Sequence, residues 1–204
     1  ERKQAQTQLA RHRDTLEQEV QARTQQLQED IRARKQAEEA LRRSESALRR
    51  LHEITTSADL DFQGKLRELL NMGCEHFELT TGLFSRIHEK SYEIVEVVSP
   101  DARFVKGGLM SIKDTFCQVV LASRGTVAIK DIGQSAYRDL PVVQHMGLET
   151  DFGSAVQVAG DIHGTLFFFS TSRRETPFSS VDKDILQLVA QWIGEEIERR
   201  NTQD

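Results

Sequence analysis

Cys117 has the widest chemical scope of any residue in this 204-residue chain. A thiol can serve as a nucleophile, a redox group or a covalent anchor, or act simply as a small apolar core residue. Phe116 precedes it, and Met110 lies one short segment upstream. Further along, residues 131–150 gather Asp131, Tyr137, Arg138, Asp139, His145, Met146, Glu149 and Thr150, with Phe152 just beyond. Apolar side chains with a few interspersed polar groups are the mixture that lines small-molecule sites. Taken singly, each has a plainer role: a Phe or Met fills a core, and Asp139 and Glu149 face solvent. His145 and His163 are the residues that could ligate a haem iron. Cys74 and His76 alone are too few for a zinc site. The chain carries no Walker loop, no Gly-x-Ser-x-Gly, no His-Glu-x-x-His and no kinase glycine box. Binding rather than catalysis is therefore expected of this fragment.

The elements that must position these residues follow from hydrophobic period and punctuation. Phe62 to Phe77 reads as an amphipathic helix, with Phe62, Leu66, Leu69, Leu70, Gly73 and Phe77 on one face. Thr80–Glu89 and Tyr92–Ser99 read as a hairpin turned at Glu89-Lys90-Ser91. A third strand is expected within Phe104–Ser111, a helix over Thr115–Arg124 and a strand over Thr126–Lys130. Loops and one short helix near Val142–His145 fill 131–150. A second hairpin, Ser154–Val158 with Ile162–Ser170, turns at Ala159-Gly160-Asp161. A closing helix over Ser180–Arg200 buries Val181, Ile185, Leu188, Val189, Trp192, Ile193 and Ile197. Hairpin-joined strands with helices at both ends define an α+β domain around an antiparallel sheet.

The start of the chain has a different character. All 12 Gly, all 3 Pro and all 13 aromatic residues lie after Asp61. Residues 1–58 are a continuous run of helix formers. Apolar positions recur at Leu9, Leu16, Val20, Leu27, Ile31, Leu41, Leu48 and Leu51, in steps built from threes and fours. That narrow seam predicts a parallel dimeric coiled coil. Its length would be ~85–90 Å at 1.5 Å per residue. A phase shift between Leu16 and Val20, and Arg34, Glu38 and Glu45 at seam positions, would keep the rod marginal and leave two packings close in energy. The expected division is a rod over 1–58 and a globular domain over 59–204. Because the chain opens at Glu1 in helical pattern without Met, it reads as a piece of something longer.

Charge follows the same division. Residues 1–51 carry a local +3 and the remainder −8, giving the overall −5. An acidic globular part argues against nucleic-acid binding, which needs a clustered basic face. No apolar run approaches a bilayer span, no signal peptide opens the chain, and the chain has only two cysteines. A cytoplasmic protein without membrane contact in this fragment is expected.

Two stretches carry a resemblance. Arg2-Lys3-Gln4-Ala5, His12-Arg13-Asp14, Arg34-Lys35-Gln36-Ala37-Glu38 and Leu41-Arg42-Arg43-Ser44-Glu45 resemble the linker helices of bacterial sensor kinases, leaving a PAS domain and approaching the next sensory module. Gly153-Ser154-Ala155-Val156-Gln157-Val158, the Gly160-Asp161 turn, Gly164-Thr165-Leu166, Thr176-Pro177-Phe178, Asp182 and Ile185-Leu186 resemble the C-terminal half of a GAF domain. Upstream, Gly73-Cys74-Glu75-His76-Phe77, Ser85-Arg86-Ile87, Asp114-Thr115-Phe116-Cys117 and Val127-Ala128-Ile129 are similar to a GAF subgroup of histidine kinases and diguanylate cyclases. The resemblance covers about residues 52–200.

It implies a six-stranded antiparallel sheet with the first and last helices on one face, and the middle helix and loops covering a small-molecule pocket on the other. On that layout the pocket residues would be Met110, Phe116, Cys117, Tyr137, His145, Met146, Thr150 and Phe152. Cys74 and Cys117 would lie on opposite sheet faces, too far apart for a disulfide. Bilin-binding relatives carry a Cys-His pair in the roof. The corresponding Ser135-Ala136-Tyr137-Arg138-Asp139-Leu140-Pro141 has neither residue, which argues against a bilin. Haem stays open but is not favoured, and the ligand itself is unassigned. Three readings remain: a dimeric sensory relay from a histidine kinase or cyclase, a haem or redox sensor reporting through Cys117, and a structural dimerisation module.

Overall fold

The structure, a computed structural model, describes residues 2–203 apart from Arg124, with side chains described from Arg11 onward. Helix α1 spans Arg2–Thr56, and the chain divides into a unit to Arg43 and a compact unit from Ser44. In the first unit Leu16, Val20, Leu27, Ile31 and Leu41 are exposed along the helix. Arg34 and Glu38 are exposed with them. Leu9 falls outside the residues whose side chains are described.

The second unit holds the rest of α1, in which Ala47 and Ile54 are buried, Leu51 is partly buried and Leu48 is exposed. It continues with α2 (Phe62–Phe77), β1 (Thr81–His88), β2 (Ser91–Val98), β3 (Leu109–Ser111), α3 (Cys117–Ser123) and β4 (Val127–Ile129). Then come α4 (Pro141–Met146), β5 (Thr150–Val158), β6 (Asp161–Ser170) and α5 (Ser180–Asn201). The strands form one six-stranded sheet in the order β3-β2-β1-β6-β5-β4, with every neighbouring pair antiparallel.

Local chemistry explains the boundaries. The Asp61 side chain accepts from Gly64 N to start α2, and Glu78 in the left-handed region ends it, a cap at each end. Helix α5 begins with a capping box between Ser179 and Asp182. Helix α4 has Pro141 in its first turn and Gly147 at φ 67 just past its end. Ala159 (φ 52) and Gly160 (φ 88) form the two-residue turn between β5 and β6, the sign of dihedral that matches strand twist.

The sheet separates two cores. On one face α2, α5 and the last turns of α1 pack around Phe77, Phe84, Phe152 and Phe168. Phe152 stacks on Phe178 with ring centroids 4.1 Å apart and meets Phe77 edge-on at 4.9 Å. At Gly73 and Gly82 a Cβ would run into the Phe168 ring, so the two glycines make its seat. On the other face α3, α4 and their loops cover Leu83, Tyr92, Ile94, Phe167 and Phe169. No described helix is long and apolar enough to cross a membrane.

In α5, Val181 and Leu188 are exposed and not on the buried side as expected, and three segments depart from the sequence reading in their bounds. Strand β5 starts at Thr150, four residues before the expected Ser154. Its first residues, Thr150 to Ser154, are all buried, so no in-out alternation marks them. Only Leu109–Ser111 of the expected third strand pairs, while Phe104 is a buried residue of the preceding loop. A short 3-10 turn, Ile112–Asp114, precedes α3, which starts at Cys117.

Candidate functional site

The second core contains a cavity lined by Leu83, Tyr92, Phe104, Thr115, Phe116, Cys117, Val142, Leu148, Asp151, Phe167 and Phe169. Alternation in the strands supplies its floor. In β6, Phe167 and Phe169 face the cavity while Leu166 and Phe168 face the other core. In β5, Asp151 lies opposite Phe169 in the β5–β6 register and faces the cavity, and Phe152 turns away. The loop before β3 contributes Phe104, α3 contributes Cys117, and α4 with its following loop contributes Val142 and Leu148.

A polar contact ties two parts of the roof together at its rim. The Arg103 guanidinium donates to both Asp101 carboxylate oxygens and, at 2.9 Å, to the His145 carbonyl at the end of α4. Rings also engage one another: Phe104 of the roof packs on Phe169 of the floor at 5.0 Å, and within the roof Phe116 meets Tyr137 edge-on at 6.0 Å. The cavity measures about 20 Å³, room for roughly one water.

Polar groups inside the wall are few and distinctive. Cys117 Sγ lies 3.3 Å from Thr165 Oγ1, which lies 2.7 Å from Ser85 Oγ on β1. The Tyr92 hydroxyl donates to Met110 Sδ at 3.1 Å. Asp151 is 1% exposed, and its Oδ2 has no hydrogen-bond partner. No ion pair among the described residues reaches it. Burial holds the Asp151 pKa well above the usual carboxylate range, because a charge stripped of water and left without a partner is disfavoured. Burial likewise pushes Cys117 up to about 11. Such a thiol stays protonated near neutrality and is a poor nucleophile or redox group.

The expected pocket residues are only partly brought together. Phe116 and Cys117 line the cavity. Met110, Tyr137 and Met146 are partly buried at the edge of the same core. His145 is exposed on α4, its Nδ1 donating to the Pro141 carbonyl at 2.7 Å. Thr150 is buried outside the cavity, its hydroxyl set against the carbonyls of Lys130 (3.1 Å) and Ser172 (2.8 Å). Phe152 belongs to the opposite core. Asp151, Tyr92, Phe104, Phe167 and Phe169 were missed as site residues. Glu149-Thr150-Asp151 is a polar run that reads as a surface loop, so no signal in the sequence singles Asp151 out.

His145 is not among the residues that line the cavity, so it is not placed to ligate a haem iron there. No cluster of three or more metal-ligating side chains occurs among the described residues. Cys74 belongs with the α2 core and Cys117 with the cavity, and both are free thiols.

This arrangement, a six-stranded antiparallel sheet with two terminal helices on one face and a roofed cavity on the other, defines a sensory or regulatory module. The chain belongs to the GAF domain family, whose pattern it matches over residues 61–197. No curated protein matches it. Solved structures with the same fold include the GAF domain of an Acinetobacter phosphoenolpyruvate-protein phosphotransferase, at 13% identity and TM-score 0.63, covering 78% of this chain and 95% of that one. A phycocyanobilin-bound GAF domain from a cyanobacterial phytochrome matches at 12% identity and TM-score 0.63, over 78% of this chain and 96% of that one. Free methionine-R-sulfoxide reductase from Neisseria meningitidis, in complex with its substrate, matches at 16% identity and TM-score 0.61, over 78% and 93%. At these identities the likeness establishes the fold alone.

Proposed function

We propose that this GAF domain is a small-molecule-gated relay in a dimeric cytoplasmic signalling protein, of the sensor histidine kinase or diguanylate cyclase kind. The observation that carries the reading is the two-faced sheet. Asp151 and Phe152 are neighbours on β5, one lining the cavity and the other seated in the helical core. A ligand that moves β5 therefore acts on the packing of α5 and of the last turns of α1, which share that core. Packed helices respond in discrete steps rather than by continuous deformation. Couplings of ~1–3 kcal/mol are typical of such links.

Dimerisation rests on the seam. Leu16, Val20, Leu27, Ile31, Leu41 and Leu48 are exposed at three-and-four spacing on a helix with little else to bury. A second copy in parallel register covers them without any other change in the fold. Chemistry in the parent protein is assigned to a domain outside this chain.

Two measurements test the reading. Native mass spectrometry of protein purified from cells should show a retained small molecule. Light scattering should report a dimer that Leu27→Asp with Leu48→Asp reduces to a monomer. A dimer that survives the double substitution rules out the seam as the interface.

A further inference from the structure

We propose that the cavity recognises a compact organic ammonium ion, with Asp151 as its counter-charge and a cage of aromatic rings as its walls. The inference rests on the reading of the domain as ligand-gated and adds the chemical class of the ligand. Three observations carry it. Asp151 is fully enclosed, faces the cavity and leaves Oδ2 without a donor. A buried acceptor in that state costs stability, so the fold alone does not account for it. Around it, Tyr92, Phe104, Phe116, Phe167 and Phe169 line the same space. Aromatic faces attract cations, and a ring cage with one carboxylate is the arrangement that favours ammonium over neutral groups of the same shape. The wall supplies no cation of its own that a carboxylate or phosphate ligand could use.

The roof sets the size. A cavity of about 20 Å³ must widen for any organic guest, and the parts that can move are Phe104, Phe116 and the Val142–Leu148 segment, released when Arg103 lets go of the His145 carbonyl.

Binding also moves a proton. The free protein favours protonated Asp151 because of burial. The ammonium ion enters with its charge, the carboxyl releases one proton to solvent, and the bound state is an ion pair. Affinity should therefore rise with pH below the pKa of the free Asp151, at up to tenfold per pH unit. The other titratable groups facing the site do not obscure this. Tyr92 on β2 and Cys117 on α3 are both raised by burial, and both stay neutral. On the α4 side His145 is exposed, Arg103 is engaged with Asp101, and the β1 and β6 neighbours are apolar apart from Ser85 and Thr165.

The test uses the whole chain and three probes of nearly one shape: isoamylamine, isoamyl alcohol and isovalerate, titrated by NMR and calorimetry. The expected order is amine at least tenfold tighter than alcohol, with isovalerate silent, and proton release for the amine in buffers of different ionisation heat. Asp151→Asn should abolish the amine preference while melting at or above the parent temperature. Phe104→Leu, which keeps the carboxyl but removes one ring, should weaken the amine severalfold. Equal binding of amine and alcohol, or undiminished amine binding by Asp151→Asn, overturns the proposal but leaves the ligand-gated reading standing. Failure of all three probes at millimolar concentration also overturns it. A ligand retained in native mass spectrometry that carries no amine does the same while supporting the sensor reading.

Discussion

Replacing Gly194 by Ala sets two magnitudes against each other. Gly194 lies in the middle of α5, where an Ala would ordinarily help by ~1 kcal/mol through helix propensity. The structure reverses the sign. A Cβ at this position would overlap the Gln157 carbonyl oxygen on β5 and lie 3.1 Å from the carbonyl carbon. The obstacle is backbone, so no rotamer change relieves it. Helix and strand must separate, and a gap of 0.5–1 Å already forfeits a quarter to a half of the dispersion attraction of the atoms concerned. The side chains affected include Val189, Ala190 and Ile193, all buried. Overpacking of this kind costs roughly 1–3 kcal/mol, and more where backbone is the obstacle. Taking the upper half of that range because backbone is the obstacle, and subtracting the propensity gain, Gly194→Ala should be destabilised by about 1–2 kcal/mol. The assay is a urea melt followed by circular dichroism and by Trp192 fluorescence, since that indole packs near Phe62 at 6.4 Å between centroids. A variant as stable as the parent, or more so, would show that α5 does not seat on the Gln157 carbonyl and would remove the contact by which β5 addresses the exit helix.

Two further predictions concern titration and reactivity. Asp182 is opposed by its own burial, yet the His76 ring 3.2 Å away and the Ser179 donors outweigh that and hold its pKa below the ordinary value. A depressed carboxylate stabilises the fold above its unfolded pKa of ~3.9 and loses that contribution as pH falls through its folded value. Asp182→Asn should therefore be less stable than the parent at pH 6, with the gap in urea midpoint closing below about pH 4; a gap independent of pH would contradict this. Burial pushes Cys74 up to about 12 and Cys117 up to about 11, so iodoacetamide at pH 7.5 should label both only after denaturation. Rapid labelling of Cys117 in the folded protein would revive the redox reading.

The parts of the fold legible in the sequence are those where one face is buried and the ends are chemically marked. Helix α2 runs Phe62–Phe77 as its period indicates, because Asp61 caps it and its apolar residues repeat on one side. The β5–β6 hairpin announces itself through Gly160. The start of β5 was illegible for the reason that makes it important: covered on both sides, it has no alternation, and its Asp mimics a loop. The candidate site suffered most from this. Cys117 and Phe116 stood out by type, whereas Asp151 becomes meaningful only once β5 is seen to hold it inside a ring of phenylalanines contributed by distant segments. Phe167 and Phe169 could be assigned to a strand from sequence, but which of Phe167, Phe168 and Phe169 faced which core needed the register with β1 and β5.

The sheet's two margins have a consequence for how the protein behaves in a crowded cell. Its outermost strands, β3 and β4, are three residues each, and each pairs inward along its whole length. A long flat margin is a template for runaway strand addition between molecules, and very short border strands deny it. At β3 and β4 themselves, strand addition between molecules has only three residues to start from, and the longer outer edge is the part of β5 from Ser154 to Val158, which pairs with β6 alone.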